Sequence, residues 1–305
     1  MNKKLIQALK IVICLALLIF IIHRIGFNNI ITTVKNINIL WLIPILIIQF
    51  IIIALGAYNI YILIPEVKLK YWKIVKYYIL SYSIGLFTPG SIGEFYMVKL
   101  LKSNNIETSR SLAILTVDKL ITFVTMLLVS VLGIILFFRE TISPIIPIIV
   151  LLVLIISVMI LISKRLEKII KFIFKKNHEK INSVPIAIKE VIKNQKIIIL
   201  KNFLLTLIKW IINAVSMKLA FLSFSTNVPI ELVLFIMVTA RLISLLPITY
   251  NGIGVNEAIA VPLYSLYNIA PAPVISVYLI FIILNYLIGF TAVSIYIINK
   301  KRIID

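Results

Sequence analysis

Glu94, Asp118, Lys119, Arg241 and Glu257 are ionisable residues set inside apolar sequence, where a charge needs a reason. Glu94 follows Pro89, Gly90, Ser91 and Gly93 in FTPGSIGEF, and Glu257 follows Pro247, Gly252 and Gly254 in LPITYNGIGVNE. Asp118 and Lys119 fall in SLAILTVDKLITFVTMLL, and Arg241 falls in VTARLISLL. Two kinds of chemistry are open to such a set. Ser91 to Glu94 has the S-x-x-E spacing of a capping box, and Gly254 to Glu257 repeats that spacing after a glycine, so both glutamates can be helix-start devices and nothing more. Alternatively, a helix that starts inside a membrane points free N–H groups and a partial positive charge into a low-dielectric space, which suits a phosphate or carboxylate. The glutamates would then face a cationic group, a proton or a neighbouring arginine. An ionisable group at depth costs roughly 2.5–3.5 kcal/mol on insertion scales, so it is expected to have a partner or a task.

The elements that carry these residues come next. Asp118, Thr122 and Thr125 recur at helical spacing and share one face, with Lys119 on the adjacent face. Arg241 and Ser244 stand three residues apart just before the second glycine-rich break, and Lys209, Asn213 and Ser216 share a face of another apolar segment. For Lys209 and Lys218 the favoured reading is snorkelling along the membrane surface. Asp118 is too short for that, and its expected partner is Arg241 or Lys119.

Composition sets the class. Of the 305 residues, 62% are hydrophobic and the mean hydropathy is +1.13, with repeated apolar runs long enough to cross a hydrocarbon core. The expected fold is all-α, a polytopic helical membrane protein. A net charge of +20 would suggest nucleic acid in a soluble chain, but the basic residues cluster between the apolar segments, as expected for loops at an anionic inner leaflet. Cys14 is alone, and His23 and His178 are isolated, so neither a disulfide framework nor a multi-histidine metal site is expected. No cofactor is expected. The N-terminal MNKKLIQALKIVICLALLIFII reads as a retained signal anchor.

Apolar spans are expected near 9–22, 39–63, 72–87, 111–138, 142–163, 202–224, 230–247 and 273–298. The third and seventh are short, and each runs into a Gly-interrupted stretch and a second short helix, SIGEFYMVKLL and GIGVNEAIAVPLYSLY. Such breaks are tolerated in a bilayer only beside protein or a water-filled cavity. If the third segment enters and leaves by the cytoplasmic face and the seventh by the outer face, twenty-four Lys and Arg lie inside against Arg24, Lys35 and Arg139 outside. Two re-entrant hairpins of opposite orientation would make an inverted repeat, with halves at about 39–138 and 202–298 of a single 1–305 domain. Both termini and a basic segment at 164–201 would be cytoplasmic. Within that segment Lys164, Lys168, Lys171 and Lys175 oppose Leu166, Ile169, Ile170 and Ile173, which reads as an amphipathic helix on the inner leaflet, or else as a solvated linker.

TPGSIGE, VDKLITFV and LPITYNGIGVNEA together resemble, in order and spacing, the signature blocks of the lysylphosphatidylglycerol synthase transmembrane-domain family, also called flippase-like domain proteins. The resemblance carries over to Pro89, Gly90, Gly93 and Glu94, to Asp118 and Lys119, and to Pro247, Gly252, Gly254 and Glu257. Lys119 stands where arginine is common in the family, which keeps the charge and loses bidentate recognition. ITYN before Gly252 is bulkier than the family's glycine-rich version. In the bacterial multiple peptide resistance factors a domain of this kind flips aminoacylated phosphatidylglycerol and is joined to a soluble transferase domain. This chain ends at IINKKRIID, so the resemblance implies a stand-alone flippase-like protein.

The resulting expectation is transport of an anionic or zwitterionic lipid, phospho- or polyisoprenoid-linked, between leaflets of the cell membrane. Its expected binding residues are Ser91, Gly93, Glu94, Asp118, Lys119, Arg241, Gly252, Gly254 and Glu257, with Pro89, Gly90 and Pro247 as structural breaks. Membrane lipids are the expected partners. Two other classes stay open: a membrane-embedded enzyme with Glu94 and Glu257 as general acid and base, and a non-transporting scaffold. No nucleotide loop and no nucleophile with a nearby base supports the enzyme, and no catalytic residue is assigned.

Overall fold

The computed structural model describes residues 12, 19–64, 69–88, 92–137, 145, 149, 152, 184–245, 249 and 251–298, and every regular element among them is helical. In chain order, after a helical stretch at 19–25, these are α1 (Phe27–Lys35), a 3-10 turn (Ile39–Trp41), α2 (Leu42–Ile62), α3 (Tyr71–Phe87), α4 (Ile92–Lys102), α5 (Thr108–Phe137), α6 (Val184–Asn194), α7 (Lys196–Ser223), α8 (Ile230–Ile243), α9 (Val255–Ser265) and α10 (Pro271–Ile298). Four helices, Ile39–Ile62, Thr108–Phe137, Lys196–Ser223 and Pro271–Ile298, are long and apolar enough to cross a membrane. The expected spans at 9–22, apart from a few residues, and at 142–163 lie outside the described residues, as do Lys164, Lys168, Lys171 and Lys175. The described end of the expected basic segment is helical: α6 buries Val184, Ile188 and Val191 against the protein, and α7 begins at Lys196, six residues before the expected start at 202.

Two described helices are far too short to span. At 1.5 Å per residue, α4 and α9, 11 residues each, reach about 16 Å, half of a hydrocarbon core. They pair instead with the short helices before them, α4 on α3 and α9 on α8. Along α3 the chain doubles back, since Gly93 lies against Ser81 and Gly85 while Asn104 donates to the Tyr77 hydroxyl at 2.8 Å.

These pairs recur with a common register. The start of α4, its end, and the start of α5 are followed after one interval, 163 residues, by the start of α9, its end, and the start of α10: Ile92 and Val255, Lys102 and Ser265, Thr108 and Pro271. The turns between them match too. Asn105 and Asn268 have φ of 62° and 57°, and each closes its helix with the same two bonds, Asn105 N–H to Lys102 O and Ile106 N–H to Leu101 O in one, Asn268 N–H to Ser265 O and Ile269 N–H to Tyr264 O in the other. That is the Schellman cap, with asparagine in the left-handed position that glycine usually takes. Packing follows the same pairing, because α2 lies on α7, α3 on α10 and α8 on α5. Gln49 donates to Ser216 at 3.2 Å and Asn59 to Thr206 at 2.9 Å, so α2 and α7 run antiparallel.

Apolar burial gathers in two main cores. One joins the end of α2 to α3, α4, α6 and the α5 residues Ala113 to Ile121. The other joins α7, α8, α9 and α10 to Met126 and Val129 of α5. Helix α5 therefore belongs to both cores, whereas α10 contributes Val274, Val277 and Tyr278 to the second and only Tyr296 to the edge of the first.

Candidate functional site

Where the short pairs meet the long helices, the protein holds a cavity of about 750 Å³, within the range of small-ligand sites. Five charged side chains from four helices line it: Asp118 and Lys119 of α5, Lys209 of α7, Arg241 of α8 and Glu257 of α9. Thr122, Asn213, Asn256 and Asn285 add neutral polar groups. Four of the five were expected binding residues, and the fifth, Lys209, was read only as part of a polar helix face or as a snorkelling lysine. Its place in the lining differs from the snorkelling reading, because its helix turns the Lys209–Asn213 face inward. Ser216, on the same face, is buried and bonded to Gln49.

At the second break the backbone is left-handed at Asn251, Gly252 and Gly254, with φ of 53°, 78° and 86°. A Cβ on Gly252 would lie 2.8 Å from Ser244 Cβ, so glycine is needed there for space as well as for conformation. Glu257 is 1% exposed, and its Oε2 accepts from the Gly254 N–H at 2.6 Å. Glycine has no side chain to accept in return, so this is half of a capping box. The Asn256 N–H is bonded to Gly252 O at 3.0 Å. The sequence left two uses for the helix start near Gly254, a cap by Glu257 and a site for a phosphate. The start of α9 is already occupied by the protein's own carboxylate. Arg241 reaches back across the break, donating Nη1–H to Asn251 O at 3.2 Å, and lies in electrostatic range of Glu257.

Asp118 is tied from the opposite side. Its Oδ1 accepts from Asn202 Nδ2 at 3.3 Å, and the same amide also donates to the Asn59 carbonyl at 2.9 Å. Thr206 links the two asparagines by accepting from Asn59 and approaching Asn202 Oδ1 at 3.4 Å. Lys209, one turn further along α7, is the cation in electrostatic range of Asp118. Of the two partners expected for Asp118, Arg241 is engaged at the second break and Lys119 is its neighbour on α5, while Asn202 supplies a hydrogen bond that neither expectation included. Asn59, Asn202 and Thr206 went unread in the sequence. The available signal was polar residues one turn apart, Asn202 and Thr206, inside an apolar helix.

At the first break, Gly93 lines the cavity, and a Cβ there would overlap Ser81 O and sit 2.7 Å from Gly85 N. Gly93 therefore serves close backbone approach of α4 to α3. Pro89, Gly90, Ser91, Pro247 and the side chain of Glu94 lie outside the described residues. The described site is thus a charged pocket flanked by apolar helices, with three cations whose chemistry suits a phosphate and two carboxylates beside them. The model of the family described as the lysylphosphatidylglycerol synthase TM region matches residues 7–292. No individual curated protein matches the chain.

Proposed function

This chain belongs to the lysylphosphatidylglycerol synthase transmembrane-region family and is a multi-pass membrane protein, and from that premise we propose that it moves an anionic or zwitterionic lipid between membrane leaflets. The observation that carries this reading is the pocket itself, with Asp118, Lys119, Lys209, Arg241 and Glu257 lining one cavity among apolar helices. Charges at that depth are costly and mark ligand paths in membrane proteins. Phosphate is assigned to Lys119, Lys209 and Arg241, since Glu257 fills the start of α9. Acyl chains stay in the bilayer while the headgroup crosses through the pocket.

The matched registers of α4 with α9 and of α5 with α10 support an inverted repeat of two re-entrant pairs, and rocking of one half against the other then exposes the pocket to each leaflet in turn. The cell membrane is the expected site, with both termini cytoplasmic as the distribution of Lys and Arg suggests. The test is lipid exchange in proteoliposomes carrying a fluorescent phospholipid. Lys209→Gln and Glu257→Gln are expected to slow exchange at least tenfold while the protein stays folded. Wild-type rates for both would leave the charged pocket without a transport role.

A further inference from the structure

The two seams that join the halves are built differently, and that difference bears on how a headgroup reaches the pocket. Between α5 and α8 the contact is dry. Gly133 packs so closely on Phe235 that a Cβ would come within 2.6 Å of it, Phe137 and Phe235 have ring centroids 5.1 Å apart, and Met126 and Val129 share a buried core with Val233 and Ile236. Between α10 and the α3–α4 pair, Gly289 packs on Leu86 and Tyr286 on Phe87, but hydrogen bonds also cross the contact. Tyr82 donates to Asn285 Oδ1 at 2.8 Å, the Tyr96 and Tyr296 hydroxyls are bonded at 2.6 Å, and the Tyr286 hydroxyl donates to Leu86 O at 3.3 Å.

We propose that the α3–α10 seam is the lateral gate through which the lipid headgroup enters the pocket, while the α5–α8 seam is the fixed hinge. The inference rests on the transport reading above. Its physical basis is that water or a headgroup can replace side-chain hydrogen bonds at little net cost, whereas parting the α5–α8 contact exposes packed apolar surface. Position agrees with this. Tyr82, Leu86, Asn285 and Tyr286 all line the cavity, so parting them opens it sideways. The outer rim of the same seam is apolar and exposed at Phe87, Leu287 and Phe290, which suits acyl chains that remain in the bilayer.

Both seams offer a close pair of residues, which allows a matched test in a Cys14→Ser background. A Cβ at Gly289 would lie 2.9 Å from Leu86 Cδ1, so Leu86→Cys with Gly289→Cys bridges the gate, and Phe137→Cys with Phe235→Cys, which replaces two rings in contact, bridges the hinge. Oxidation of the gate pair is expected to cut exchange of fluorescent phosphatidylglycerol at least tenfold, with recovery on reduction. Oxidation of the hinge pair is expected to leave it within twofold. Equal inhibition by both bridges, or none at the gate, overturns the proposal. A second measurement does not need transport: Tyr96→Phe should speed labelling of an Asn213→Cys reporter in the cavity lining by a water-soluble maleimide about threefold, and an unchanged rate overturns the gate. If labelling responds as expected but reduced protein exchanges no lipid, the gate stands and the transport reading falls.

Discussion

The first and second breaks solve one architectural problem with glycines used for different reasons. In both, a short helix ends in the same asparagine cap after the same number of residues, yet their starts differ. Gly93 at the first is a contact residue, needed because α4 touches the backbone of α3. Gly252 and Gly254 at the second are conformational residues, needed because the chain is left-handed there. A shared G-x-G-like or S-x-G-like pattern therefore identifies where a helix is interrupted without revealing which physical constraint holds the glycine.

Substitutions can break that comparison in graded steps. Gly93→Ala is expected to do most harm, above about 3 kcal/mol, since the added methyl meets backbone atoms that have nowhere to go. Loss of monodisperse protein on detergent extraction would show it, and normal melting would mean that α4 does not approach α3 as described. Gly254→Ala should cost roughly 2–3 kcal/mol, because φ 86° with ψ −40° lies outside even the left-handed helical basin that alanine can visit, read as a lower melting temperature with the helical content retained. Glu257→Gln is expected to change stability by under about 1 kcal/mol, because an amide oxygen can still accept from Gly254, while exchange of lipid drops. A stability loss large enough to account for the lost exchange would return Glu257 to a purely structural role. Asn105→Gly and Asn268→Gly should each stabilise slightly, by about 0.5 kcal/mol, since glycine adopts the cap conformation without strain. Opposite signs for the two would mean that the caps are not equivalent.

Much of this was legible because membrane helices announce themselves. Apolar runs located α2, α5, α8 and α10 to within a few residues at most of their ends, and the Pro and Gly clusters marked both breaks. The start of α7 was misplaced since Lys196 and Lys201 look like loop residues, although a lysine at a helix end can keep its charge at the membrane surface. The charged lining was also mostly visible from Asp118, Lys119, Arg241 and Glu257. Their partners were not, because pairing depends on which helices cross. Asn202 meets Asp118 only through the packing of α5 on α7, and Tyr82 meets Asn285 across 203 residues of chain. Helix-start chemistry was half visible: the three-residue spacing to Glu257 predicted the cap, but not that the cap would fill the anion position.

Leaflet exchange in a protein-containing vesicle tests the central claim most directly. With a headgroup-labelled phospholipid and a membrane-impermeant quencher, wild-type protein is expected to bring the inner-leaflet lipid within reach of the quencher, and folded Lys209→Gln protein is expected to do so at least tenfold more slowly. Inner-leaflet lipid that stays protected with wild-type protein, or is exposed equally fast by Lys209→Gln, would contradict a lipid path through the charged pocket.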